Sequence, residues 1–451
     1  MRQKAWLIVI LLLQLAGMGF TASAQSDADR INELVTAYVK EYKFNGTVLV
    51  INKGKVVFSK GYGHKNVKDS TYNDVNPIYQ LGSVTKQFTS AIILQLQEQK
   101  KLSVQDKLSK YYPDYPQGDK ITIENLLTHT SGIYNYTNSR EFMTTGATKP
   151  STEEKMVALF KDKPLDFEPG SKWSYSNSGY SLLGYIIQKV TGKPYEQVVR
   201  EQIFNPLHMT HSGFDFTHLE SKDKAQGYTN YTEPVKVPAS IVDSSVSFAA
   251  GAIYSTVNDL WEWHKGLMTN KVLKAASQDK AYTPLKNHYG YGWGIDSLFG
   301  KRIISHGGGI FGFNTNIARI TSDDVCVVIL ANMNTGSIDL INRGILAILY
   351  NQPYEVPKEK VAIKVDTAIL QQYVGEYQLA PTFSITIRVV NGALKGKATG
   401  QPEFDMFAEK ENKFFLKIVE ASGEFVKGAD GKIETMIWTQ GGRDTPAKKI
   451  K

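Results

Sequence analysis

The sequence predicts an α+β fold, with an antiparallel sheet flanked by helices and a small all-β domain at the C-terminus. Residues 29–42 carry apolar residues at helical spacing, and two short strand-like runs follow around an Asn-Lys-Gly turn. Three later runs are plausible neighbours in one antiparallel sheet: 301–305, 314–320 and 325–332. Beyond residue 361, apolar and polar residues alternate in short runs, which indicates meandering hairpins.

Residues 1–24 have the three-part form of a secretory signal peptide. Arg2 and Lys4 precede an apolar run, and Ala-Ser-Ala precedes the expected cleavage point. A retained membrane anchor is the alternative, but Gln14 interrupts the run, which is short for a bilayer span. We therefore expect an exported protein, periplasmic or secreted, with no stable membrane insertion after cleavage.

The charge balance gives little support for a nucleic-acid partner. The chain of 451 residues has a formal net charge of +8, and loss of residues 1–24 removes two basic and no acidic residues. No Lys/Arg-rich run with interleaved aromatics occurs. The single cysteine, Cys326, lies in an apolar run and is expected to be a core residue. Stability must then come from core burial without an internal disulfide.

The remaining chain divides at a proline-containing stretch. We expect a main domain over residues 25–351, a linker over 352–360 and a small β-rich domain over 361–451. The main domain holds every candidate functional residue.

The first candidate pair is Ser83 and Lys86. Apolar residues recur at helical spacing after Ser83, which places the serine in the first turn of an amphipathic helix and the lysine one turn further on. A helix N-terminus and a nearby amine both favour a nucleophilic hydroxyl. The bare Ser-x-x-Lys pattern also occurs at 221–224 and 277–280, so alone it decides nothing.

A second pattern, Tyr175-x-Asn177, lies in a loop before a helix that ends at Gly192. Side chains at a helix entrance can point into a cleft, although Tyr-x-Asn recurs at 136–138 and 228–230. His129, in an earlier loop, is interpreted as a structural residue that fixes the loop by hydrogen bonds.

The third pattern, His306-x-Gly308, lies at the end of the first of the three late strands, and Gly309 follows it. Glycines there allow a substrate backbone to approach closely. A glycine-rich turn between two strands is the alternative.

In this order, the three patterns resemble the serine β-lactamase-like family of penicillin-recognising hydrolases. The similarity is strongest to the branch that holds class C β-lactamases, D-alanyl-D-alanine carboxypeptidases and related esterases. It covers about residues 30–350, and the tail is similar to the β-rich domain often appended to such hydrolases. The resemblance implies a β-lactamase-like fold with an all-helical subdomain.

The resemblance also implies catalytic roles. Ser83 would be the acylated nucleophile, and Lys86 and Tyr175 would exchange its proton. No metal or cofactor is expected, because no His/Cys/Asp/Glu cluster has metal-ligand spacing.

The implied substrate-binding residues are Asn177, His306, Gly308 and Gly309. Asn177 would hold the substrate amide or the lysine, and the backbone N–H groups of Ser83 and Gly309 would form an oxyanion hole. His306 is expected to be largely neutral at pH 7 unless a substrate carboxylate raises its pKa.

One departure from the family pattern affects the expected substrate. Many β-lactamases carry Lys-Thr-Gly at the third motif, and this chain has no such tripeptide, so efficient β-lactam hydrolysis is in doubt. We expect a hydrolase acting on D-amino-acid peptides, esters or β-lactam-like substrates. The alternative is a catalytically weak penicillin- or peptide-binding sensor on the same fold.

Overall fold

The computed structural model describes residues 25–41, 43–231, 236–358, 360–401, 403–417, 421–440 and 443–451. The predicted signal peptide, residues 1–24, lies outside the described residues, as does residue 42 at the end of the first predicted helix.

Among the described residues, five helices have 12 to 15 residues each and the others have eight or fewer. Their bounds are α1 Asp27–Lys40, α2 Thr85–Glu98, α3 Ile123–Leu127, α4 Arg140–Thr145, α5 Glu153–Ala158, α6 Asn177–Thr191, α7 Tyr195–Val199, α8 Ser244–Gly251, α9 Val257–Met268, α10 Ala275–Ala281, α11 Ile338–Leu349 and α12 Thr367–Gln372. A π-helical turn, Arg200–Phe204, continues α7. Single 3₁₀ turns occur at Gly82–Val84, Leu108–Lys110, Tyr136–Asn138 and Thr321–Asp323.

The strands fall into one central sheet, a barrel in the tail and three two-stranded pairs. Before the tail they are β1 Gly46–Asn52, β2 Lys55–Tyr62, β3 His64–Asn66, β4 Thr71–Tyr72, β5 Tyr79–Gln80, β6 Tyr228–Tyr231, β7 Lys236–Pro238, β8 Tyr254–Ser255, β9 Gly294–Leu298, β10 Lys301–Ile310, β11 Phe313–Ile320 and β12 Val325–Ala331.

The central sheet joins the two ends of the main domain. Among the described residues it has the order β2-β1-β12-β11-β10-β9, and every neighbouring pair is antiparallel. The predicted hairpin and the three predicted late strands are confirmed. The glycines after His306 belong to β10 itself, which continues to Ile310 and turns at Phe311 and Gly312. The alternative of a glycine-rich turn is therefore wrong.

Both faces of the central strands are covered. Leu49 and Val328 face a large core formed with the helices between β5 and β9, whereas Val50 and Val327 face a second core under α1 and α11. All of β12 is buried, and this explains its continuous apolar sequence. Cys326 is fully buried there, and burial raises the pKa of its thiol to about 12.

Helix α2 differs from the amphipathic helix that its sequence predicts. Every residue from Thr85 to Leu94 is buried, including the polar ones, because sheet, helices and loops surround it. A helix buried on all sides can hold polar side chains only if they find partners inside the protein. The polar side chains in this part of α2 therefore lie in the protein interior.

The tail forms a meander closed into a barrel. Its described strands are β13 Gly375–Ala380, β14 Phe383–Val390, β15 Ala393–Ala398, β16 Glu403–Ala408, β17 Lys413–Phe415, β18 Ala421–Lys427, β19 Ile433–Gln440 and β20 Arg443–Lys449. They follow one another in chain order, and β20 pairs with β13. The barrel has its own core, separate from the two cores of the main domain. The predicted all-β C-terminal region is confirmed, with one short helix, α12, before its first strand.

None of the helices in the described part of the chain combines the length and the apolar composition that a membrane span requires.

Candidate active site

Ser83 lies in the 3₁₀ turn Gly82–Val84, which leads directly into α2. Gly82 adopts a left-handed conformation (φ +55°), which favours glycine. A Cβ on Gly308 would overlap the carbonyl oxygen of Leu81, to which the Thr315 hydroxyl donates a hydrogen bond of 2.7 Å. Glycines on both sides thus let β10 approach the serine turn closely, and Gly308 is a packing position.

Lys86 is fully buried beneath Ser83. Its Nζ lies 3.0 Å from Ser83 Oγ, 2.8 Å from Asn177 Oδ1 and 2.8 Å from the carbonyl oxygen of Ala250. The lysine helix is tied to the Ala250 segment at two further points: the Ile253 N–H donates to Thr85 Oγ1, and the Thr89 hydroxyl donates to the Ala249 carbonyl. The amine is therefore held in one place.

The contacts of Lys86 suit both of its protonation states. Burial lowers its pKa well below the usual value for lysine, which favours the neutral amine. A neutral amine can donate to Asn177 and Ala250 while it accepts the Ser83 proton, and an ammonium can donate to all three. Lys86 is thus suited to take a proton from Ser83.

Tyr175 lies in the loop just before α6, with its ring close to the Lys86 amine (4.8 Å from Nζ to the ring centroid). Burial raises the pKa of its phenol, and interaction with the Ser83 side chain only partly offsets this rise. The family resemblance implies that Lys86 and Tyr175 exchange the Ser83 proton. Burial favours the protonated phenol, so Tyr175 is suited to donate a proton.

Asn177 is the first residue of α6, and its side chain bridges two elements. Its Oδ1 accepts from Lys86, while its Nδ2 donates to Thr137 Oγ1 at 3.1 Å. Its backbone N–H donates to Asn135 Oδ1 at 3.0 Å. Of the two roles implied for Asn177, this geometry favours holding the lysine.

His306 is buried in β10, and both of its ring nitrogens are engaged. Nδ1 lies 2.6 Å from the carbonyl oxygen of Gly307, so it carries the hydrogen; Nε2, 2.8 Å from the Tyr289 hydroxyl, then accepts. Burial, followed by the charge of Lys86, lowers the pKa of His306 to about 3. This arrangement opposes the expectation that a substrate carboxylate would protonate the ring.

His129 ties its own loop to the backbone on both sides of Tyr175. Its Nδ1 accepts from the Ser176 N–H at 3.2 Å, and its carbonyl accepts from the Ser174 N–H at 3.0 Å. Its ring centroid lies 4.2 Å from that of Tyr175. Burial lowers its pKa well below the usual value, so it is neutral. The hydrogen bonds agree with the structural role expected for His129.

A cavity of about 480 Å³ opens beside Ser83. Ser83, Asn177 and Gly309 line it, whereas Tyr175, His306 and Gly308 do not. The Gly309 backbone nitrogen lies 3.0 Å from the point where a Cβ on Gly82 would be, so β10 and the serine turn meet at the cavity wall. The structure therefore brings together all seven predicted residues, but only Ser83, Asn177 and Gly309 line the cavity.

Several residues of the site escaped sequence reasoning. Tyr289 lies in a glycine-rich stretch with no catalytic pattern, and Thr137 lies in one of the other copies of Tyr-x-Asn. The Ala250 acceptor is a backbone carbonyl, which leaves no signal in the sequence. Within the described residues, no three His, Cys, Asp or Glu side chains converge in a way that could hold a metal ion.

The fold and this arrangement of serine, lysine and tyrosine define a serine hydrolase of the β-lactamase fold. Residues 31–350 match the family described as Beta-lactamase, and residues 359–448 match a domain of unknown function, DUF3471. The chain belongs to the beta-lactamase family.

Two relatives and one solved structure show how far the similarity extends. Penicillin-binding protein 4* of Bacillus subtilis (strain 168) is 28% identical and is matched over 93% of this chain and 98% of its own length. The putative penicillin-binding protein PbpX of the same organism is 33% identical over 70% of this chain and 78% of its own. The structure of an octameric penicillin-binding protein homologue from Pyrococcus abyssi superposes with a TM-score of 0.68, at 25% identity over 94% of this chain and all of that chain.

Proposed function

We propose that the protein hydrolyses D-amino-acid peptides, esters or β-lactam-like substrates through an acyl-Ser83 intermediate. The observation that carries the proposal is the buried Lys86 amine, 3.0 Å from Ser83 Oγ. Burial favours its neutral form, which a general base requires. Two relatives that bear the name penicillin-binding protein support an acyl donor of this kind.

The first step forms a bond between Ser83 Oγ and the substrate carbonyl carbon. Lys86 takes the hydroxyl proton, and its new charge is accommodated by Asn177 Oδ1 and the Ala250 carbonyl. The N–H groups of Ser83 and Gly309 bind the oxyanion. Loss of one such donor costs about 3–4 kcal/mol in a comparable site.

In the second step, the leaving group departs with a proton from Tyr175. Burial keeps this phenol protonated, and its interaction with Ser83 places it near the reacting atoms. Lys86 returns the serine proton to the tyrosine. Water then attacks the acyl-Ser83 ester with the same groups in reversed roles, which releases the acid and restores the serine.

His306 and Tyr289 act in this scheme as positioning residues. The Tyr289 hydroxyl is held on His306 Nε2, and the Tyr289 ring packs 4.8 Å from that of His129, which in turn contacts Tyr175. The pair thus supports the wall behind the tyrosine without touching the substrate.

A neutral phosphonate tests the nucleophile. We expect O-methyl O-p-nitrophenyl butylphosphonate to add its phosphoryl group to Ser83, with loss of p-nitrophenolate, as seen by intact-protein mass spectrometry. Ser83→Ala should abolish labelling. Ser221→Ala, in an exposed copy of the Ser-x-x-Lys pattern, should leave it unchanged. Labelling that survives in Ser83→Ala would refute the acyl-serine proposal.

The alternative is a catalytically weak sensor that is acylated but releases its product very slowly. Multiple turnovers of p-nitrophenyl butyrate would favour the hydrolase, whereas one p-nitrophenolate per protein and a stable adduct would favour the sensor. The substrate itself is a small molecule or peptide in both cases.

Export is part of the proposal and depends on residues 1–24. Expression of the full chain in a Gram-negative host, followed by fractionation and N-terminal sequencing, tests it. A periplasmic product that begins near Gln25 is expected, and an uncleaved chain in the cytoplasm would contradict it.

A further inference from the structure

The cavity beside Ser83 has walls that are mainly apolar. Tyr136 lines it from a 3₁₀ turn, and its larger apolar wall residues are Met143, Val242, Val246, Ile310, Phe311 and Phe313. These apolar residues come from α4, the segment before α8, α8 itself and the hairpin of β10 and β11. The volume falls within the roughly 300–1,000 Å³ that is usual for small-molecule pockets. The cavity is therefore large enough for a substrate side chain or acyl group.

The polar groups of the same cavity carry no formal charge. Among the lining residues that the structure describes, they are hydroxyls and amides, such as Thr137, Ser247 and Asn334. Arg140 begins the helix that carries Met143, but it is exposed and does not line the cavity. A carboxylate between these walls would find hydrogen-bond donors and no cation.

Lys86 and His306, two basic side chains of the catalytic centre, do not line the cavity and are already engaged within the protein. Lys86 donates to protein acceptors beneath Ser83, and His306 has both ring nitrogens engaged. A charged group that leaves water without a partner is strongly disfavoured. Among the described residues that line the cavity, there is thus no cation to offset the burial of a substrate carboxylate.

We infer that the cavity selects an uncharged, apolar substrate group and rejects a carboxylate in the same position. The inference depends on the proposed function, because it concerns the group attached to the carbonyl that Ser83 attacks. Of the proposed substrates, it favours neutral esters and amides with an apolar group over substrates that place a free carboxylate in the cavity.

A matched series of phosphonates tests this selection. The O-methyl O-p-nitrophenyl esters of methyl-, butyl- and 3-carboxypropylphosphonic acid differ in the group that would enter the cavity. The last two have four carbons each, and their chains are short enough to stay between the walls. We expect butyl to label Ser83 at least about tenfold faster than methyl, because three more methylenes are buried. We expect the butyl compound to label Ser83 about 100-fold faster than the carboxypropyl compound.

A second test of the selection places a positive charge on the cavity wall. Met143 is half-buried on the short helix α4, so a lysine there can extend its amine into the cavity. Met143→Lys should narrow the preference for butyl over carboxypropyl at least tenfold. Met143→Leu, which keeps the wall neutral, should retain it.

The outcomes separate the inference from the proposed function. If Ser83 is labelled and carboxypropyl reacts as fast as butyl, the inference is wrong and the acyl-serine proposal survives. If no member of the series labels Ser83, both are wrong. A methyl compound as fast as butyl would also overturn the inference, because the cavity would then contribute nothing to binding.

Discussion

Lys86 sets the charge of the site, and its buried surroundings explain why its neutral form, the one that can act as a base, is favoured. Burial lowers its pKa, burial raises that of Tyr175, and burial lowers those of His129 and His306, the last to about 3. The titrations of the tyrosine and the histidines are thereby moved away from neutrality. Of these groups, only Lys86 has a pKa that burial shifts in the direction of neutral pH.

The first prediction follows from these directions. Since the neutral amine is the base, kcat/KM for a neutral ester should rise with pH through the lowered pKa of Lys86 and level off above it. Lys86→Met should remove this rise and lower the rate by about 10²–10⁴-fold. A pH profile of p-nitrophenyl butyrate hydrolysis measures both.

The control for this prediction is Lys101→Met, which replaces an exposed lysine just beyond the end of the same helix. It should leave the profile unchanged. A rising limb that persists in Lys86→Met would show that another group removes the serine proton.

At the residue scale, the sequence supplied the candidates but not the means to choose between them. Ser-x-x-Lys occurs three times, and only the first copy has a buried lysine; Lys224 and Lys280 remain partly or fully exposed. Burial depends on the packing of distant segments around α2. The hydrogen bond between Tyr289 and His306 likewise depends on how two stretches of chain meet, and the sequence around either residue does not predict it.

At the scale of elements, α8 joins the catalytic lysine to the cavity wall. Its Ala250 carbonyl accepts from Lys86, and Val246 and Ser247 line the cavity. Between them, Phe248 has φ +36° and ψ −132°, a conformation that disfavours side chains, and its ring stacks on Tyr185 at 4.7 Å. The stacked ring and the close packing of α8 hold Phe248 in a strained backbone conformation.

The second prediction compares two substitutions at this residue. Both Phe248→Ala and Phe248→Gly lose the stacked ring, but only glycine also relieves the backbone strain. Phe248→Gly should therefore be the more stable by about 1–2 kcal/mol in urea unfolding. At Val246 in the same helix, Val246→Ala should be more stable than Val246→Gly, which is the ordinary order for a helix. Equal stability of the two Phe248 variants would mean that the backbone there is unstrained.

Helix and strand positions were largely predictable, because their periodicity is strong. The predicted end of α6 is marked by Gly192, which caps it with φ +68°. The segment between α8 and α9 is less readable from local sequence. The chain there leaves α8 at Gly251, pairs through β8 with β5 and restarts at Val257 behind the Thr256 cap. This short strand is fixed by a distant partner.

At the scale of the whole molecule, the proposed domain division has physical support in the separate cores. The core under α1 and α11 extends along the chain to Tyr350 and Tyr354, and the barrel core begins at Val365. No hydrogen bond or ion pair between described side chains links the barrel to the main domain. A linker over 352–360 fits this separation.

The third prediction is that a chain truncated after Asn351 folds and is labelled at Ser83 by the butylphosphonate. A chain truncated after Pro357 keeps Tyr354, which packs against the second core, and should be more stable by about 1–2 kcal/mol. Thermal unfolding and labelling of both chains measure this. Truncated chains that are insoluble or unreactive would make the barrel part of the catalytic unit.

The pairing of the strands also bears on how folded molecules meet one another. The barrel is closed by the pairing of β20 with β13, so its described strands include no edge strand for a second molecule to extend. The central sheet ends in β2 and β9, whose exposed Lys55, Lys60 and Asp296 would have to be brought against any added strand. The barrel and the central sheet are therefore not expected to join folded molecules into fibres by strand addition, even at high concentration.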